Sequence, residues 1–164
     1  MTDQTKRPQS CCAMAITFRI LKPNKLIAVT VSGRLQFEDL RNVAVRLKKD
    51  PDFVWSHDRI IFLKRDASFS EMKLETFRDA KEAMKKEFFG NLSLAASDLP
   101  AYRVAIVCRP SINEIVMKMF GAIWKADATP LVAVRHFEFA PEALNWFGQE
   151  TIQESEFSEE IKGM

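Results

Sequence analysis

A chain of 164 residues, 47% hydrophobic and 28% charged, has the size and balance of one ordinary globular domain. At that length a single core buries roughly 70% of the surface that the unfolded chain exposes, so folding requires neither disulfides nor a structural metal. Lys and Arg number 24 against 22 Asp and Glu, a balance too even to argue for a nucleic-acid groove. The five glycines are scattered, and neither of the common phosphate-cradling loops can be written with them.

Cys11 and Cys12 are neighbours and Cys108 lies inside an apolar run, which is not a disulfide framework. No apolar run approaches the roughly 18 residues of a membrane span, and no basic segment precedes an apolar one at the start. The expectation is a cytoplasmic chain without a membrane span.

Residues 1–13 are polar and read as a flexible N-terminal segment. From Ala15 to Leu21 the residues alternate, with Ile16, Phe18 and Ile20 on one side, which predicts a half-buried strand. Pro23-Asn24-Lys25 is a turn, and Leu26 to Val31 is apolar enough for a strand covered on both faces. The short connection makes these two strands an antiparallel pair. After Gly33 the period becomes helical at Phe37, Leu40, Ala44 and Leu47, and Asp50-Pro51 stops it.

Arg59 to Lys64 is a buried strand, and Ser68-x-x-Glu71 reads as a capping box opening a long helix. Another strand runs from Arg103 to Arg109, and a second capping box at Ser111 and Glu114 opens an apolar-striped helix over 112–124. A last strand begins at Leu131, and Pro141 opens a short helix that ends at Gly148. Residues 149–164, with five glutamates against Lys162, read as an acidic C-terminal tail in solvent. The α/β domain proper spans residues 14–148: a mixed sheet of about five strands, the first two antiparallel and the later ones parallel, packed with about four helices.

Four segments resemble the SpoIIAA-like family, within the wider set of STAS and Sec14-type domains. They are G-R-L-Q-F-E-D-L at 33–40, the strand ending in Asp66 with its capped helix, Y-R-V-A-I-V at 102–107 with M-K-M-F at 117–120, and P-E-A-L-N-W-F at 141–147. The resemblance implies a domain with no established enzymatic role. Some of its relatives are phosphorylation-controlled protein switches, and others hold apolar ligands or associate with membranes.

Two classes of function follow. The first is a regulatory or protein-interaction domain. The relatives' D-S-S-G motif is matched here by Asp66-Ala67-Ser68-Phe69, so Asp66, Ser68 and nearby Ser70 are the switch-site candidates, although Ala67 and Phe69 depart from the pattern. A phosphate at a helix N-terminus would meet the favourable end of the helix dipole. The competing reading makes Ser68 only a helix cap.

The second class is a carrier or sensor of an apolar small molecule or lipid, with peripheral membrane contact as a variant. Its residues would be Phe88, Phe89, Leu92, Leu94 and Leu99 in a long connection, facing Ile115, Met119 and Phe120. The same connection also fits a plug over the end of the core. No catalytic residue stands out, because His57 and His136 lack companions in sequence and Cys108 reads as packing. Nothing calls for a metal or cofactor. The partner remains an unknown protein or apolar ligand, with no nucleic acid, and the chain a monomer or homodimer.

Overall fold

A computed structural model of the chain describes residues 15–70, 73–89, 101–111 and 132–164. The alternating first segment is a strand, β1 (Ile16–Leu21), which pairs antiparallel with β2 (Leu26–Val31) from Ile16 opposite Val31 to Leu21 opposite Leu26. One turn of 3-10 helix at Lys22–Asn24 joins them, closed by Lys25 in the left-handed region at φ 51°. Helix α1 (Phe37–Lys49) follows, capped at Gln36, whose N–H donates to the Asp39 carboxylate at 2.8 Å. It ends at Asp50, as the Asp-Pro pair predicts.

β3 (Asp58–Leu63), α2 (Leu74–Phe89), β4 (Tyr102–Val107) and β5 (Val132–Phe137) complete one five-stranded sheet in the order β1-β2-β3-β4-β5. Every pair after the first is parallel. The mixed sheet and the single α/β domain are therefore those expected. The N-terminal segment, the 112–124 helix and the connection at 90–100 lie outside the described residues. No helix among the described residues is long and apolar enough to cross a membrane.

The two-residue period of the strands divides the core in two. Ile16, Ile27, Val31, Leu63, Val104 and Ile106 face one side, where Val43 and Leu47 of α1 cover them. Leu21, Leu26, Ala28, Ile60, Phe62, Ala105 and Val107 face the other. That second face is covered by α3 (Ala140–Trp146) and by the chain beyond it. Arg103 locks α3 in place: it donates to both carboxylate oxygens of Asp58 and to the carbonyls of Trp146 and Phe147 at 2.9 and 3.1 Å, which satisfies acceptors at the helix end. Gly148 then takes φ +70° and turns the chain away.

The acidic segment 149–164 is not the solvated tail its composition suggests. Ile152 is buried, and Phe157 is fully buried with its ring 5.4 Å from that of Phe62. A 3-10 turn at Glu154–Phe157 runs into α4 (Ser158–Ile161), and both lie against the sheet. Glu150, Glu154, Glu156 and Glu159 are exposed as composition demands, but Glu160 is largely covered in an ion pair with Arg19 and one aromatic in their midst belongs to the core.

Phe62 sits at the centre of this second core. Phe62→Ala is expected to lower unfolding free energy in urea by about 3–5 kcal/mol, from lost burial plus the cavity left behind. Val54→Ala, at a side chain half exposed, should stay within about 0.5 kcal/mol of wild type.

Candidate functional site

The segment after β3 is built by extending the sheet for a few residues beyond its strands. Lys64 N–H donates to Val31 O at 2.9 Å, a tight turn follows with Ala67 N–H on Lys64 O, and the chain returns to the ladder at Ser68. There Ser68 N–H donates to Gly33 O at 2.8 Å and Leu35 N–H to Ser68 O at 2.9 Å, an isolated parallel bridge between Arg34 and Ser68. Gly33, at φ +64°, supplies the left-handed residue that brings the two loops side by side.

This placement corrects the helix reading of Ser68. α2 starts at Leu74, so Ser68 is a bridge residue several positions before the helix and not its cap. A long-range pair of backbone bonds has won over the local capping pattern. The two departures from the D-S-S-G pattern acquire a physical reason as well. Ala67 and Phe69 are partly buried against the first core and act as the anchors of the loop.

The polar side chains lie between and beside those anchors. Asp66 and Ser70 are exposed, Ser68 is half-buried, and the Ser68 and Ser70 hydroxyls lie 3.0 Å apart. The structure thus brings two of the three switch-site candidates into contact and places Asp66 on the same loop. Lys64 and Arg65 stand at its start. Burial pushes the Lys64 ammonium below its usual pKa, and Glu160, Glu159 and Asp66 pull it back up.

The residues proposed for apolar-ligand binding fall outside what the structure describes. Leu92, Leu94, Leu99, Ile115, Met119 and Phe120 lie outside the described residues, and Phe88 and Phe89 are placed only as the last residues of α2. Cys108 is buried, with its thiol pushed up to about 11 by burial, which makes it a poor nucleophile at neutral pH. Among the described residues no group of three or more His, Cys, Asp or Glu could hold a metal ion.

A second cluster, which sequence reasoning missed, occupies the opposite end of the parallel strands. The Arg59 guanidinium stacks 3.6 Å from the centre of the Tyr102 ring and 5.2 Å from that of Trp55. It also donates to the carbonyls of His57 and Trp55 at 3.2 and 3.1 Å. Arg59 therefore pins the 53–57 loop to β3 and β4. The only sequence signal was the W-S-H-D-R run, which says nothing of the tyrosine far along the chain. His57 is buried in this cluster, and its Nδ1 has no hydrogen-bond partner among the described residues.

No protein-family model, curated protein or solved structure matches this chain.

Burial lowers the pKa of His57, and the nearby charges of Arg59 and Lys25 lower it further against the opposing pull of Asp58. The unfolded chain therefore takes up a proton at His57 near the ordinary histidine pKa while the folded chain resists it. Stability from this group is complete above about pH 6.5 and is lost as pH falls from there toward the lower folded pKa. The urea midpoint should fall between pH 7.5 and 5.5, and the fall should be smaller in His57→Phe.

Proposed function

We propose that this chain is a non-catalytic regulatory or protein-interaction domain of the SpoIIAA-like, STAS-type kind, with its partner surface on the Asp66–Ser70 loop. The observation that carries this reading is the pairing of the Ser68 and Ser70 hydroxyls on a loop whose backbone is bonded to Gly33 and Leu35. Such a loop combines a backbone that stays put with side chains that accept a modification. It presents a defined surface, and a change of charge on it alters which partner docks without unfolding the domain.

A phosphate on either hydroxyl adds about −1.5 to −2 charges and three strong acceptors. With α2 starting only at Leu74, its favourable partners would be the cations Lys64 and Arg65 in the same connection, in place of a helix N-terminus. The bridge uses only the N–H and carbonyl of Ser68, so a modified hydroxyl gives up its contacts with the Ser70 N–H and hydroxyl and leaves the bridge intact.

Incubation of the purified protein with lysate and ATP, followed by phosphosite mapping, should find phosphate on Ser68 or Ser70. The double substitution Ser68→Ala and Ser70→Ala should abolish it while leaving the urea midpoint nearly unchanged. Modification confined to other residues would remove the switch. A lipid retained by the protein in native mass spectrometry would favour the carrier reading instead.

A further inference from the structure

The last residues of the chain make an unusual set of contacts with the second face of the sheet. Arg19 Nη2 donates to Glu156 O at 2.6 Å, Lys64 Nζ to Glu159 O at 2.7 Å and to Lys162 O, and Arg65 Nε to Met164 O at 2.7 Å. Arg65 N–H donates to Gly163 O at 3.0 Å. All of these acceptors are main-chain carbonyls, which any peptide possesses. Four side chains of the segment also engage the protein, with Ile161 and Met164 partly buried against the second core. Phe157 enters fully buried, against Phe62 and beneath the Arg19 guanidinium at 5.6 Å. Three positions later, Glu160 pairs with Arg19 at 2.9 Å.

We propose that the trough bounded by Arg19, Phe62, Lys64 and Arg65 is a peptide-binding surface for a partner segment bearing an aromatic residue followed three positions later by a carboxylate. Residues 156–164 of this chain occupy it in the free protein. Recognition by main-chain carbonyls plus one aromatic anchor is a common way of reading peptides of differing sequence. The basic rim of Arg19, Lys64 and Arg65 matches an acidic ligand in charge, as it matches the chain's own glutamates. The occupying segment has little structure of its own, since a 3-10 turn and a four-residue helix are unstable without their docking site. A competing peptide therefore has only docking contacts to replace. This surface is separate from the serine hydroxyls and stands whether or not they are modified.

The test uses the full chain and a fluorescent peptide of residues 151–164, with affinity read by anisotropy. Wild-type protein should bind weakly, because its own segment competes at high effective concentration. Phe157→Ala or Glu160→Lys in the protein should each raise affinity for the peptide by about tenfold or more. The Glu160→Lys variant keeps the test decisive if Phe157→Ala fails to fold, and circular dichroism and urea titration confirm its folded state. A peptide with alanine everywhere except at Phe157, Glu160, Ile161 and Met164 should still bind, and one with Phe157→Ala should not. Unchanged affinity in folded Glu160→Lys protein, or equal binding by the peptide lacking the aromatic, would overturn the proposal. So would wild-type dimers in light scattering that disappear with Phe157→Ala, since they would assign the trough to a second copy.

Discussion

Strands that run parallel and adjacent in sequence order impose a one-sided arrangement on what connects them. A right-handed crossover from each strand to its next neighbour carries every connecting helix to the same face of the sheet. Here β2, β3, β4 and β5 follow one another in that order, α1 covers the first face, and α2 packs beside α1. The strands themselves are apolar on both sides: Leu26, Ile27 and Ala28 in β2, and Ile60, Phe62 and Leu63 in β3, are all buried. The second face must therefore be covered by chain that is not a crossover. That task falls to the residues after β5, with Ala140, Ala143, Leu144, Phe147, Ile152 and Phe157 as the covering side chains. Burial of a phenylalanine side chain contributes about 1.5–3 kcal/mol, a sizeable part of the net stability of a domain this size. The C-terminal residues are part of the fold for this topological reason.

The same constraint explains what was legible in the sequence. Each strand and helix that carries its own period could be read locally, because alternation in β1 and the stripe in α1 are properties of consecutive residues. The Asp50-Pro51 stop and the Gly148 turn were legible for a similar reason, since proline and glycine restrict or free the backbone wherever they stand. Residues 149–164 have no such period: Ile152, Phe157, Ile161 and Met164 are spaced irregularly among glutamates. Their burial follows from an uncovered face elsewhere, and no window of local sequence contains that information.

Ser68 illustrates the opposite error. Its S-x-x-E pattern is a true local signal, yet the backbone of residue 68 bonds with residues 33 and 35, more than thirty positions away. Two strand-like bonds to a fixed neighbour outweigh one side-chain cap on a helix terminus, which is worth about 1 kcal/mol. The three candidate residues do share one loop, but a backbone bridge and not a helix cap holds Ser68 there. The Arg59 cluster was invisible for the same cause as the bridge, because Tyr102 reaches it only through the β3–β4 pairing.

Lys64 and Arg65 connect these two regions. They leave β3 between the face covered by the C-terminal segment and the loop that carries Asp66, Ser68 and Ser70, and both of them hold the segment by its carbonyls. An ammonium has three donor hydrogens, and Lys64 commits two of them to Glu159 and Lys162 carbonyls. The negative charges of Glu160 and Glu159 in the segment, and then of Asp66 on the loop, favour its charged form against the burial that opposes it. Partial burial weakens solvent screening of that charge, so each additional anion counts for more there than it would at a fully exposed lysine. One cation thus lies under the influence of both regions: it is bonded to the carbonyls of the segment and feels the charge of Asp66 on the loop.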